Sequence, residues 1–327
     1  MSAPVVCGIP FLRAGREALA AEAQAAMEAG EEREAAVLLL ADQDDWSPTD
    51  PPSPDACRAA LADGVTFREA MRLLNFGPVT DYFAHRWSDP TYLSGLALLS
   101  AHAPPGARVF ELACGTGAFL RVLGPGAVGA DVVWAKLWLA RRYVVPDATL
   151  LCFDAAAPWP VEPGFDVALC HDALYFLPAK AHVLVELRRL APVVLIGHTH
   201  NADAENHSAG DPLTPDGYRG LLGEATTYDD AELTRALLED RAPRPSDGAA
   251  AAALAFASPP AEPASAGRYA LAGEVFRPNP LLEAGWPSER YEAEYAADMA
   301  YLTDAPAGLP REEQIRRRVL VDLPEHW

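Results

Sequence analysis

The stretch Val109-Phe-Glu-Leu-Ala-Cys-Gly-Thr-Gly-Ala-Phe119 decides how the rest of the chain is interpreted. A short apolar run carries an acid, Glu111, and the glycines Gly115 and Gly117 follow before a helical pattern begins. Glycine lets a backbone turn tightly and approach a ligand closely. The pattern therefore predicts a strand, a ligand-binding turn and a helix in direct succession.

Short apolar runs alternate with helical patterns on the C-terminal side of this stretch. The predicted strands are Arg108–Leu112, Ala127–Asp131, Thr149–Phe153, Asp166–Cys170 and Val193–Gly197. The predicted helices between them are Gly117–Leu123, Val133–Tyr143 and Lys180–Leu190. This alternation is typical of an α/β fold with a doubly wound, mostly parallel sheet. In such a sheet, ligands bind beyond the carboxyl ends of the strands.

The whole sequence divides into three predicted regions. Residues 1–100 form a helical N-terminal cap or lid, and residues 101–200 form the α/β core. Residues 201–327 form a C-terminal extension that completes the sheet and the substrate pocket. Within the cap, residues 14–42 are rich in Ala and Glu, which predicts a helix with a break at Gly30.

Segments of biased composition interrupt both flanks of the core. Residues 43–56 are rich in Pro and Asp and predict a linker. Residues 241–267 are rich in Ala and Pro and predict a low-complexity loop. Around that loop, Asp229–Asp240 predicts a helix, and Arg268–Phe276 and Arg317–Asp322 predict two further strands.

Composition and charge limit the class of partner. The 327 residues include 26 Lys and Arg against 46 Asp and Glu, a formal net charge of −20. Phosphate groups are bound by clustered cations, so we expect no nucleic-acid partner and no docking on an anionic membrane. The five cysteines form no C-x-x-C pair and no signal peptide is visible, so we expect a cytoplasmic protein. Apolar C-terminal residues would permit a homodimer.

The segment E-L-A-C-G-T-G at residues 111–117 resembles the first motif of class I S-adenosylmethionine (SAM)-dependent methyltransferases. The usual form of this motif has a glycine at the position of Ala113, so the match departs there. A dinucleotide-binding G-x-G-x-x-G is incomplete, because its third glycine would fall at Leu120. The acid before the loop also suits a cofactor with an ammonium group better than a pyrophosphate. An ordinary turn without a ligand is the remaining alternative.

The resemblance implies a site for SAM, with S-adenosylhomocysteine (SAH) as the product. The implied cofactor-binding residues are Glu111, Ala113, Gly115, Gly117, Asp131, Asp154, Ala155 and His171. Glu111 would hold the ammonium of the methionine end, Asp131 both ribose hydroxyls, and Asp154 the adenine amino group. Ala155 would offer a backbone N–H to the adenine ring. The alternatives are that Asp131 caps a helix and that Asp154 is a solvated loop acid.

Histidines follow the fourth and fifth predicted strands. We take His171, His198 and His200 as candidate catalytic bases, because an imidazole titrates near neutrality and can remove a hydroxyl proton. The alternative is that they are polar loop residues that only shape a pocket. The H-x-H pair, with His207 and Asp172, also permits a metal site. The metal-dependent members of the family use mainly carboxylate and amide ligands, so no metal is expected.

The sequence therefore predicts a SAM-dependent methyltransferase that acts on a small-molecule acceptor, a hydroxyl of a sugar or of a natural-product metabolite. A non-methylating SAM- or SAH-binding regulatory or scaffold protein with the same fold is the alternative. An enzyme that uses the sulfonium cofactor for another reaction is a third possibility. The aromatic segment Asp81–Trp87 is expected to be either part of a lid that contacts the sulfonium or a packing cluster.

Overall fold

The computed structural model describes residues 3–43, 47, 49–205 and 210–327. Within them the strands are β1 (Val5–Val6), β2 (Ile9–Pro10), β3 (Val109–Leu112), β4 (Val128–Asp131), β5 (Thr149–Cys152), β6 (Val167–His171), β7 (Val193–His200), β8 (Thr226–Asp229), β9 (Ala253–Ser258), β10 (Phe276–Pro278) and β11 (Leu320–Asp322). Among these described residues, no helix has the length and apolarity needed to cross a membrane.

Of the helices in the same described residues, three have more than ten residues and the others are shorter. They are α1 (Glu17–Glu28), α2 (Glu32–Leu40), α3 (Pro54–Ala60), α4 (Phe67–Leu73), α5 (Val79–Ala84), α6 (Pro90–His102), α7 (Ala118–Leu123), α8 (Trp134–Leu139), α9 (Lys180–Leu190), α10 (Pro215–Leu222), α11 (Asp230–Leu238), α12 (Pro280–Ala284), α13 (Glu289–Tyr295), α14 (Ala300–Thr303) and α15 (Arg311–Arg316). A single π-helical turn, Ala140–Val144, continues α8.

Seven strands form the main sheet, in the order β5-β4-β3-β6-β7-β9-β8. The pairs β3–β4, β4–β5 and β6–β7 are parallel, whereas β9 runs antiparallel to both β7 and β8. Strands β3 to β7 therefore follow the doubly wound order. The antiparallel strand β9 lies next to β7, between β7 and β8. The predicted fold class, a doubly wound and mostly parallel α/β sheet, is confirmed.

The chain divides into two compact units. Unit 1 comprises Met1–Ala84, Phe110–Glu162 and Pro324–Trp327, and unit 2 comprises His85–Val109 and Pro163–Leu323. The predicted boundaries at residues 100 and 200 do not coincide with this division. Most of α6 falls in the predicted N-terminal cap, but this helix packs against α11 and β7 of unit 2.

Unit 1 holds β4, β5 and the N-terminal helices. Its N-terminal segment lies along the edge of β5, where the N–H of Leu12 donates to the carbonyl of Cys152 at 2.7 Å. This covers an edge that would otherwise present unpaired backbone groups. The C-terminal segment of unit 1 is also held by a hydrogen bond, which the Trp327 indole donates to the carbonyl of Ala84 at 2.6 Å.

Unit 2 is built around α6. Residues 91–101 of this helix are all buried, as expected of a helix that is apolar on every side. Asp89 caps its N-terminus by accepting from the N–H of Tyr92 at 2.8 Å, and Pro90 occupies its first turn. This cap holds Asp89, the last residue before α6, at the N-terminus of the helix.

Most elements of the predicted core are confirmed. Strands β3 to β6 begin and end within one residue of the predictions, and β7 runs on to His200. The predicted break at Gly30 separates α1 from α2, where Gly30 adopts a φ of 79°. The predicted helix Asp229–Asp240 appears as α11.

Two predictions in the flanks are wrong. The predicted loop over 241–267 contains β9, all six residues of which are buried between β7 and β8. A strand buried on both faces lacks polar alternation, so its Ala-rich sequence resembles a low-complexity loop. No strand covers Arg268–Phe276 except its last residue, at which β10 begins.

The two remaining flank predictions lie close to real elements. The predicted strand Arg317–Asp322 is reduced to β11, which pairs with β10. In the predicted linker over 43–56, residues 44–46 and 48 lie outside the described residues. Helix α3 begins at Pro54 within that range, because the Ser53 hydroxyl caps it by accepting from the N–H of Ala56.

Gly129 in β4 provides a test of packing behind the glycine loop. A Cβ atom there would lie 2.8 Å from Cys114 Sγ and 2.5 Å from Leu120 Cδ1. We expect Gly129→Ala to lower the free energy of unfolding by about 1–2 kcal/mol through overpacking. Gly126→Ala is the matched control, since nothing lies within 4 Å of its Cβ position. Urea unfolding of both variants measures this, and equal stabilities would contradict the packing assigned to β4.

Candidate functional site

The glycine loop of unit 1, residues 113–117, follows β3. Ala113, Gly115 and Gly117 adopt φ values of 57°, 55° and 81°, so all three have left-handed backbone conformations. Such values favour glycine, so Ala113 has a backbone conformation that is unfavourable for a residue with a Cβ atom. A Cβ at Gly117 would lie 2.9 Å from Val145 Cγ2, so the loop packs closely against the end of the π-helical turn.

Glu111 lies in β3 directly before this loop and is 3% exposed. Its Oε2 atom is buried and has no hydrogen-bond partner among the described residues. Burial, and after it the nearby Asp131 carboxylate, raise the pKa of Glu111 well above its usual value. A buried carboxyl oxygen without a donor is unfavourable in a folded protein. Glu111 is therefore suited to bind an ammonium or another cationic donor.

Asp131 ends β4 and organises the loop. Its Oδ2 accepts from the N–H of Gly115 at 3.0 Å, and its Oδ1 accepts from the N–H of Val133 at 2.9 Å. This second bond lies directly before α8 but does not cap it, because Val133 is the N-cap of α8 and no side chain makes a capping hydrogen bond there. Each carboxylate oxygen has a second lone pair, so both atoms can still accept from a diol.

Asp154 and Ala155 follow β5. The half-buried Asp154 accepts from the N–H of Ala156 at 2.8 Å and thereby forms a local turn. The carbonyl of Ala155 accepts from the Trp159 indole at 2.9 Å, which fixes the turn against the aromatic ring of Phe153. Both residues are held by unit 1 in a defined loop after the third parallel strand.

Phe83 is the member of the aromatic segment that reaches the glycine loop. The Cβ position of Gly115 lies 3.9 Å from Phe83 Cε1, and the Lys136 ammonium lies 5.7 Å from the centre of the Phe83 ring. Phe76 packs edge-on against the same ring at 6.0 Å. The segment therefore supplies one aromatic ring to the loop, and this ring also belongs to a packing cluster.

His171 lies at the end of β6 in unit 2 and is 6% exposed. Its Nε2 donates to the carbonyl of Thr91 in α6 at 2.9 Å. Burial lowers its pKa to about 4, so the ring is neutral at physiological pH. Gly197 leaves room for the ring, since a Cβ at that position would collide with it. This environment makes His171 a weak base.

His198 forms a hydrogen-bonded pair with Asp230, the first residue of α11. Its Nδ1 donates to Asp230 Oδ2 at 2.7 Å, and its Nε2 lies 4.0 Å from Asp172 Oδ1. Although burial disfavours the charged ring, the two carboxylates raise the pKa of His198 to about 9. His200 has the opposite tendency, because burial and then the charge of His198 lower its pKa to about 4.

Asp172 connects these histidines to a partly buried arginine, Arg86. Its Oδ2 accepts from Arg86 at 2.9 Å, and its Oδ1 accepts from the Tyr175 hydroxyl at 2.8 Å. Burial would raise the pKa of Asp172, but Arg86 and His198 hold it below the usual value. Arg86 also pairs with Asp89, whose carboxyl lies 3.4 Å away. Burial raises the pKa of Asp89 to about 7 against the effect of Arg86.

The three candidate bases thus lie in one neighbourhood of unit 2. The ring centres of His171 and His198 are 6.1 Å apart, and those of His198 and His200 are 5.2 Å apart. One ligand atom from each of Asp172, His198 and His200 lies within 4.8 Å of the others, a spacing compatible with a metal ion. His207, considered with them in the sequence, lies outside the described residues.

Arg86, Tyr175 and Asp230 were not identified from the sequence as partners of these histidines. Asp230 is the first residue of α11 and directly follows β8. The apolar pattern did not predict β8, so the position of Asp230 next to the sheet could not be predicted either. Arg86 precedes α6 and reaches Asp172 from 86 positions away in the chain. Only the short distance between His171, Asp172 and Tyr175 in the sequence could have indicated part of this network.

No protein-family model and no curated protein matches the sequence. Solved structures similar to this chain include a SAM-dependent methyltransferase of Thermotoga maritima, with 15% identity and a TM-score of 0.39 over 56% of this chain and 92% of that one. Another is a TehB-like SAM-dependent methyltransferase of Corynebacterium glutamicum, with 16% identity and a TM-score of 0.38 over 50% of this chain and 85% of that one.

The burial of Glu111 predicts a pH-dependent stability effect. Because its folded pKa is raised, its unfavourable contribution is absent below the unfolded pKa and grows as the pH rises toward the folded value. We expect Glu111→Gln to stabilise the ligand-free protein by about 1–3 kcal/mol at about pH 8 and by much less at about pH 4.5.

Urea unfolding at both pH values measures this effect. Glu22→Gln, at an exposed position of α1, is the control and should change stability little at either pH. A destabilised Glu111→Gln protein at about pH 8 would show that this carboxylate already has a stabilising partner in the ligand-free chain.

Proposed function

We propose that the chain is a SAM-dependent methyltransferase that methylates a hydroxyl of a small molecule, such as a sugar or a natural-product metabolite. The observation that carries the proposal is the buried Glu111 oxygen without a partner, directly before the glycine loop. SAM has an ammonium group on its methionine end, and a charge-assisted hydrogen bond to that group would satisfy this oxygen.

The other implied cofactor residues have compatible surroundings. Asp131 has lone pairs left for the two ribose hydroxyls after it accepts from Gly115 and Val133. Asp154 retains an oxygen that could accept from the adenine amino group. Their backbone turns are fixed within unit 1 before any ligand binds, which lowers the entropy lost on binding.

In the proposed reaction, an oxygen of the acceptor attacks the methyl carbon of SAM in line with the leaving sulfur. The O–C bond forms as the C–S bond breaks, and the electron pair of the broken bond stays on sulfur, which gives neutral SAH. The hydroxyl proton must leave the acceptor during this step. The chain therefore has to align the two reactants and assist loss of that proton.

We assign proton removal to the neighbourhood of His198 and His200. His171 fits this role less well, because its Nε2 donates to the carbonyl of Thr91 and the residue is only 6% exposed. We propose that His171 supports the pocket rather than accepting the proton. The net charge of −20 supports a small acceptor over nucleic acid.

Calorimetric titration with SAM, SAH and NADH tests the cofactor assignment. We expect SAM and SAH to bind with dissociation constants from about 1 μM to 1 mM and NADH not to bind. Glu111→Gln should weaken SAM binding about 10- to 100-fold, the loss expected for a charge-assisted hydrogen bond. Asp131→Ala should also weaken it, whereas Glu22→Gln should not.

The outcomes of this titration separate the candidate functions. Binding of NADH without SAM would contradict the proposal. Binding of SAM and SAH, with no SAH formed when a panel of hydroxyl acceptors is supplied, would favour the non-methylating binding protein.

The rate of SAH formation by alanine variants tests whether His198 and His200 take part in proton removal. We expect His198→Ala and His200→Ala each to reduce the rate of SAH formation about 10²- to 10⁴-fold, with the dissociation constant of SAM unchanged. His182→Ala in α9 is the control and should retain the wild-type rate. Unchanged turnover in both the His198 and His200 variants would contradict a hydroxyl acceptor that needs deprotonation here.

A further inference from the structure

We propose that Asp172, His198 and His200 bind one divalent transition-metal ion, of the kind represented by Zn²⁺ or Mn²⁺. The three ligand atoms lie within 4.8 Å of one another, and His198 Nε2 lies 4.0 Å from Asp172 Oδ1. Metal–ligand bonds of about 2.0–2.2 Å bring such atoms to within about 3–3.5 Å of each other. Side-chain shifts of about 1 Å would therefore close the site around an ion.

The backbone aims these side chains at a common point. His198 and His200 are two residues apart on β7, and their ring centres lie 5.2 Å apart. The register shifts between Ile196 and Thr199 and His198 has a φ of 43°, so a local bulge rather than regular strand alternation sets the direction of His198. Thr199 between them is fully buried and donates instead to the Tyr218 hydroxyl. Asp172 directly follows β6, the parallel neighbour of β7, and its N–H donates to the carbonyl of Gly197 at 3.0 Å.

Outer hydrogen bonds orient two of the three proposed ligands. Asp230 accepts from Nδ1 of His198 at 2.7 Å, which leaves Nε2 as the atom that faces Asp172. A carboxylate on the distal nitrogen is the usual arrangement behind a metal-binding histidine. Asp172 is fixed in turn by Arg86 and by the Tyr175 hydroxyl. These contacts distinguish the group from a chance cluster of polar side chains.

The donor set and the exposure indicate the type of ion. Two imidazoles and one carboxylate suit zinc and the other first-row divalent ions better than Mg²⁺ or Ca²⁺, which favour oxygen ligands. Three protein ligands leave at least one position open, as in catalytic rather than structural sites. The side chains of His198 and Asp172 are 18% and 22% exposed, so an ion can reach them.

An open position on the ion suggests a role for it in the reaction. An acceptor hydroxyl bound there would lose its proton to solvent more easily, because a divalent ion stabilises the alkoxide. This role rests on the proposed methyl transfer, whereas ion binding itself does not. From the sequence no metal is expected at the H-x-H pair, because the metal-dependent members of the resembled family use mainly carboxylate and amide ligands, and Asp230 and Tyr175 were not identified as supporting residues.

The test is metal binding by the untagged full-length chain after dialysis against a chelator. Competition with a chromogenic chelator gives the Zn²⁺ affinity, and Co²⁺ gives visible absorption that reports the ligands. We expect one tightly bound ion per chain, with Co²⁺ d–d bands and no thiolate charge-transfer band. The last feature excludes the five cysteines as the ligands.

Variants locate the ion. His200→Ala and Asp172→Asn should abolish tight binding, and Asp230→Asn should weaken it about 10- to 100-fold, as expected for an outer-shell partner. His182→Ala, outside the cluster, should bind as the wild type does. Circular dichroism and the SAM titration are run on each variant, so a misfolded protein is recognised and replaced by the milder His200→Gln.

Two results would overturn the metal site. One is the absence of tight binding in the wild type, and the other is equal binding in the wild type and in folded His200 and Asp172 variants. A chain that binds the ion at the cluster but binds no SAM would contradict the proposed function and leave the metal site standing. A chain that binds SAM but no ion would contradict the metal site and leave the proposed function standing.

Discussion

Unit 1 depends on the position of one carboxylate, that of Asp131. It accepts from the N–H of Gly115 in the loop after β3 and from the N–H of Val133 at the start of α8. These two bonds fix the left-handed loop and the following helix to the end of β4. A second buried carboxyl, that of Glu111 in β3, is close enough for Asp131 to raise its pKa, and no described residue satisfies its Oε2. The proposed cofactor, through its ammonium group, would supply the missing partner.

Unit 2 also contains buried or partly buried carboxylates, and basic residues of the same unit pair with them. Asp89, Asp172 and Asp230 are buried or nearly so, but Arg86 lies between the first two, and His198 pairs with the third. Removing one partner from such a network leaves an uncompensated buried charge. Glu111 differs from these acids, because no described residue satisfies its Oε2, whereas each of the three acids of unit 2 has a basic partner in the chain.

The sequence predicted the elements that follow a regular pattern. Strands β3 to β7 alternate with helices, and Glu111, Asp131 and Asp154 could be placed from this alternation together with the glycine loop. Strand β9 was missed because burial on both faces removes the polar alternation that identifies a strand. Asp230 was missed with β8, and the burial of His171 against Thr91 depends on tertiary packing that no local pattern encodes.

The most direct test of the cofactor site is a crystal structure of the chain in complex with SAH. We predict that the amino nitrogen of SAH lies within hydrogen-bond distance of Glu111 Oε2 and that both ribose hydroxyls donate to Asp131. The Asp131 bonds to Gly115 and Val133 should persist in the complex. SAH bound elsewhere, or bound with Glu111 Oε2 still without a partner, would contradict the site described for unit 1.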